Sequence, residues 1–221
     1  MELLLWNLKG VLMSREIYES SMEIIENLLK DSKYQGILLN LEKLFIKTHI
    51  SITNIDKERE ILWGYYFEKT LITPIEDYEN RTLLDLLYDE NKLDMNTYSF
   101  LKNKTLSVFK VKKVKKEFFT VIDIFNNKEK IDLKFTEEWF GINKGDLIQS
   151  YLYYSTEPYL SIYGFIHPKG VDKFILKETK NIIKNKNYDY IDEFLAKLFR
   201  KFVNSKRYSR KDSLEIYSID L

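Results

Sequence analysis

His49 and His167 are the only side chains of this 221-residue chain that exchange a proton near neutral pH without a shifted pKa. They stand in separate segments, and neither is flanked by a nucleophile elbow or by metal-binding spacing, so each reads as an exposed or helix-terminal histidine, with His167 ending a strand before Pro168. The chain has no cysteine, which removes thiolate nucleophiles, disulfides, zinc knuckles and iron–sulfur ligation together and fits a reducing, cytoplasmic setting. With seven glycines there is neither a dinucleotide fingerprint nor a phosphate loop, and the zincin, serine-hydrolase and calcium-loop motifs are absent. Glu58/Glu60 and Asp89/Glu90 read as solvated helix faces, and Glu137/Glu138 as acids favoured by a helix N-terminus. The pattern calls for no cofactor and no metal, and an enzyme with an unfamiliar carboxylate or tyrosine site is the last of three readings.

Cationic chemistry is better represented. Lys110, Lys112, Lys113, Lys115 and Lys116 crowd one strand and the turn after it, near the aromatics Phe118, Phe119, Tyr151 and Tyr153. Lysines beside aromatic rings are what a single-strand nucleic-acid platform uses, the rings stacking on bases and the ammonium groups meeting phosphates. Lysines on an edge strand equally protect a sheet against edge-to-edge aggregation. A second stretch, Lys197, Arg200, Lys201, Lys206, Arg207, Arg210 and Lys211, contains no acid and carries Tyr208. It suits phosphate or an acidic protein surface, or simply complements a helix dipole and the acidic N-terminal half. Sixteen tyrosines, Tyr65, Tyr66, Tyr154, Tyr159 and Tyr163 among them, offer large, stiff contact area of the kind that recognises partners. Heavy use of Lys, Ile, Asn and Tyr also matches AT-rich codons, as in a bacterial or phage genome.

Charge is unevenly divided. Residues 1–105 hold 13 Lys+Arg against 18 Asp+Glu, and residues 106–221 hold 22 against 16, so the halves attract each other or serve different partners. No window approaches the roughly 20 uncharged apolar residues of a membrane span. Leu3-Leu4-Leu5-Trp6 lacks the basic leader and cleavage site of a signal peptide and reads as a buried first strand or turn.

The elements that must position these residues follow from the hydrophobic rhythm. Ser14 suits an N-cap, and Ile17, Ile24, Ile25, Leu28 and Leu29 form one helical face after it. Helices are predicted after Gly36, over 55–70 up to the break at Pro74, and over 83–88 and 97–101. After Leu106 apolar residues recur every second position, predicting strands at 109–114, 118–125, 130–135, 147–154 and 159–166, with Asn126-Asn127 as a tight turn and Thr136 capping one helical turn. Helices are predicted again over 171–184 and 189–204, and a weak final strand over 213–221.

The expected fold class is α+β: a mainly helical region (1–105), a small five-stranded antiparallel barrel-like module of OB or SH3 size (106–168), and C-terminal helices (169–221). The leading functional expectation is a non-enzymatic adaptor that binds another protein through tyrosine-rich and basic surfaces. The alternative is a protein that binds RNA or single-stranded DNA through the barrel lysines and the C-terminal basic cluster.

Overall fold

The computed structural model describes residues 2–53, 56, 58–126 and 129–218, with the backbone alone for 2–14 and 138. Its sheet holds strands β1 (Lys104–Val114), β2 (Phe118–Asp123), β3 (Lys130–Lys134), β4 (Leu147–Tyr153), β5 (Tyr159–Leu160) and β6 (Phe165–Ile166). All pairings are antiparallel, in the order β3-β2-β1-β4-β5, and β6 also pairs with β4. The strands curl into a nearly closed barrel, so the α+β class and the small barrel are both observed.

Alternation along the strands explains the closure. Phe109, Val111, Phe119, Val121, Leu133, Ile148, Leu152 and Leu160 fill the interior, joined by Trp139 and Ile142 from the β3–β4 connection. The opposite face of β1 and β4 is not wet. Strand β4 is buried at all seven positions, because helices cover the side that Leu147, Gln149, Tyr151 and Tyr153 present. A strand covered on both faces has no polar side to show, which is why its alternation is blurred in the sequence.

The covering helices are α1 (Glu2–Leu28), α2 (Ser32–Thr48), α3 (Arg59–Ile72), α4 (Leu83–Asp89), α5 (Met95–Lys102), α6 (Asp172–Lys184), α7 (Ile191–Arg207) and α8 (Ser213–Ser218). Helices α1, α2, α4 and α5 pack on Tyr151, Tyr153 and Tyr159, while α6, α7 and α8 pack on Val108 and Leu147. Their boundaries follow local chemistry. The Asp31 carboxylate accepts from Lys33 N at the start of α2, and Thr82 with Asp85 forms a reciprocal capping box on α4. Helix α3 stops at Ile72, before Pro74.

Four expectations change. Residues 3–6 are helical and Ser14 lies inside α1 rather than capping it, since no proline and few poor helix formers interrupt this Leu- and Glu-rich stretch. The fifth strand is broken into β5 and β6, because Ser161 turns its hydroxyl to Glu68 at 2.8 Å and Gly164 backs onto Ser150 so closely that a Cβ would sit 2.5 Å from it. The final strand is the helix α8: Asp212 Oδ1 accepts from Leu214 N, and neighbouring Ile216 and Tyr217 are both buried. Thr136 stands at the N-cap of the turn Glu137–Trp139 but makes no capping bond. Ile55, Asn127 and Ile219 lie outside the described residues.

Candidate functional site

The barrel's hydrogen-bond path ends at β3 on one side and β5 on the other, and between these edges lies a cleft of about 840 Å³. Phe118, Phe135, Trp139 and Tyr159 give it aromatic walls, and Leu133 and Leu160 line it as well. The register places these groups. Phe118 opposes Lys134 across β2 and β3, and Phe135 N donates to Glu117 O at 3.0 Å, so the two phenyl rings come from the same end of the sheet. Phe140, 84% exposed, meets Phe135 edge-on at 6.3 Å.

Polar groups in the cleft are of mixed sign. Arg15 and Lys134 stand with Asp132, Glu137 and Glu157, and Lys134 Nζ reaches Glu157 across the seam at 3.7 Å. Thr120 Oγ1 donates to Asp132 at 2.6 Å. Two wall atoms are buried without a hydrogen-bond partner among the described residues, Thr136 Oγ1 and Trp139 Nε1. Such groups are uncommon in folded proteins.

The basic hairpin lies beside this seam. Lys112, Lys113, Lys115 and Lys116 are exposed, Lys110 is half-buried on β1, and a register shift between Val111 and Lys113 bulges the strand. Lys115 Nζ sits 4.9 Å over the Phe118 ring, which joins the lysine run to the aromatic wall.

The other expected site residues are placed differently. Tyr151 and Tyr153 are wholly buried, Tyr153 donating to Glu68 at 2.7 Å. Lys201 is also wholly buried and donates to the carbonyls of Ile216 (3.4 Å) and Tyr217 (2.8 Å), closing the C-terminal end of α8. Lys206 pairs with Glu58 at 3.0 Å, Arg207 grips Asp56, and Arg200 donates to Thr48 O. Tyr208, Arg210 and Lys211 are exposed. The second basic stretch thus serves in large part to hold α7 against the acidic N-terminal half and to cap α8.

Both histidines stand at the ends of elements, His49 after α2 and His167 after β6, but they are buried rather than exposed, and burial holds each imidazole neutral with its pKa lowered to about 3. Among the described residues no group of three or more acids, histidines or cysteines could hold a metal ion, and no helix is long and apolar enough to cross a membrane.

Sequence reasoning missed the role of Trp139 and Phe135, whose convergence depends on barrel closure. It also missed Glu68, which is wholly buried and accepts from Tyr18 (3.0 Å), Tyr153 and Ser161. A signal for the latter existed: Glu68 falls three residues after Tyr65 and three before Leu71, on the apolar face of α3.

No protein-family model, no curated protein and no solved structure matches the chain.

Proposed function

We propose that this chain is a non-enzymatic binding protein that takes an extended segment of a partner protein into the open seam of its barrel. The observation that carries the reading is the aromatic-walled cleft between two sheet edges, because an unpaired edge is a template for an added strand and side-chain pockets beside it supply selectivity. The exposed lysines of the hairpin favour an acidic stretch flanking the docked segment.

A second reading, RNA or single-stranded DNA on the same face, is favoured by Lys115 lying over Phe118. Against it stand Asp132, Glu137 and Glu157, which would repel phosphates along the cleft. A displayed peptide library panned against the full chain distinguishes the two. The peptide reading expects enrichment of extended sequences with alternating apolar residues, whose binding falls at least tenfold in Phe118→Ser and Phe135→Asp. Selected peptides that bind both variants as well as the parent would overturn it. Retardation of a labelled oligonucleotide that weakens steeply with salt and vanishes in the Lys112→Glu, Lys113→Glu, Lys115→Glu triple variant would put the nucleic-acid reading in its place.

A further inference from the structure

A second cavity, of about 500 Å³, lies between α2, α3 and α7, away from the barrel seam. Its inner surface is apolar, with Leu41, Phe45 and Ala196 each no more than 5% exposed. One polar group in that surface is fixed in an unusual way. His49, 6% exposed, stacks on Phe45 with ring centroids 4.3 Å apart and planes 8° from parallel. Thr48 Oγ1 reaches Leu44 O at 2.9 Å and Phe45 O at 3.3 Å, and with its proton on either carbonyl the contact of 2.8 Å between that oxygen and His49 Nδ1 is donated by the ring. In that tautomer the proton is on Nδ1, and Nε2 carries a lone pair with no donor among the described residues.

One pair of opposite charges meets at the cavity. Lys69 Nζ meets Asp192 at 3.3 Å and Arg200 donates to Thr48 O, while Asp189 and Glu193 stand exposed at the rim. Burial first, then the nearby positive charges of Lys69 and Arg200, keep the imidazole neutral. Lys69 and Arg200 disfavour a cation at Nε2, while the lone pair and the acids Asp189, Asp192 and Glu193 lining the same cavity disfavour an anion. What remains is a neutral donor, of which an acidic hydroxyl is the strongest.

We infer that this cavity is a small-molecule site for an uncharged phenolic ligand, whose hydroxyl donates to His49 Nε2 while its ring packs on Phe45, Leu41 and Ala196. The volume is that of small-molecule sites, which set a few placed polar groups beside an apolar surface such as that of Leu41, Phe45 and Ala196.

Titration of the full chain with phenol and, separately, with toluene tests the assignment, followed by the imidazole ¹⁵N resonances of His49 with His167, which does not line the cavity, as an internal reference. Phenol is expected to move the His49 Nε2 signal saturably, to leave His167 unmoved, and to bind about tenfold more tightly than toluene, the factor set by one neutral hydrogen bond. His49→Phe keeps a ring on Phe45 and is expected to abolish the preference for phenol. Equal binding of the two probes by the parent protein, or a His49 signal that phenol leaves untouched, overturns the inference without recourse to any variant.

Discussion

Arg207 holds Asp56 with two arms of its guanidinium, Nε to Oδ1 at 2.7 Å and a terminal nitrogen to Oδ2 at 2.8 Å, and the same terminal nitrogen reaches Ser51 O at 2.5 Å. Asp56 also accepts from Thr53 N at 2.8 Å, so one cation near the end of α7 secures the chain between α2 and α3. The Asp56 side chain is 2% exposed, and the Arg207 guanidinium beside it holds its carboxyl below the usual range. Arg207→Ala strands a buried carboxylate and is expected to destabilise the protein by about 3 kcal/mol, with Arg207→Lys intermediate because an ammonium cannot reproduce the fork. Urea midpoints at constant slope measure both; an Arg207→Ala midpoint equal to the parent's would show the pair to be ornamental.

Acid sensitivity should come from the histidines before the carboxylates. The unfolded chain takes up protons on His49 and His167 below about pH 6.5, whereas the fold keeps both neutral down to about 3. More protons bound by the unfolded state means stability that rises with pH, so it is lost as pH falls from about 6.5 toward 3. The loss is up to about 1.4 kcal/mol per pH unit for each ring. Asp56, its pKa lowered, adds its own loss only below its unfolded value near 3.8. Thermal melts at pH 7, 6 and 5 should show a steady fall, and His167→Gln should reduce the slope by about half, since Gln can keep a bond to Tyr217, now 2.8 Å from His167 Nδ1. An unchanged slope would mean that His167 takes up its proton without unfolding.

The barrel was legible because its inward positions alternate. Phe109/Val111, Phe119/Val121 and Leu133 show period two on strands that face polar surroundings on the other side for at least part of their length. The fate of the lysines was not legible in the same way. Lys112 and Lys201 are both lysines in basic runs, but one tops a hairpin and the other lies beneath α8, because Lys201 shares the buried face of α7 with Phe194, Leu198 and Phe202 nearby. Helix periodicity would have flagged that position. Cleft residues such as Trp139 and Tyr159 come from opposite ends of the hydrogen-bond path, and no local spacing encodes their approach.

Glu68, wholly buried, and Lys104, half-buried at the start of β1, are linked through an intermediary. Lys104 Nζ donates to Glu68 O at 3.1 Å and contacts Tyr153 OH at 3.2 Å, which in turn donates to the Glu68 carboxylate. Burial raises the Glu68 pKa and lowers that of Lys104 to about 8, so each charge leans on the other to exist. Lys104→Met leaves the Glu68 carboxylate buried without its cation and should destabilise by about 3 kcal/mol, and Glu68→Gln, which leaves an ammonium only half-buried, by less. The double variant should cost less than the sum by more than about 1 kcal/mol, as it removes both charges together. Strict additivity in urea melts would show the two to be independent.

Gly64 tests how closely α3 approaches the turn between β5 and β6. A Cβ on Gly64 would fall 2.0 Å from two ring carbons of Tyr163, a distance no side-chain torsion can absorb while the ring stays in place. The helix itself prefers alanine, by about 1 kcal/mol, so a free surface position would be stabilised by the change. Because the overlap is with one ring, Gly64→Ala should instead destabilise by about 2 kcal/mol or more, the ordinary range for overpacking. Tyr163→Ala removes that ring, and in its presence Gly64→Ala should become neutral or stabilising. The sign of the coupling separates a steric origin from any general intolerance of α3 to substitution: if Gly64→Ala costs as much in the Tyr163→Ala background as in the parent, the contact is not what demands glycine here.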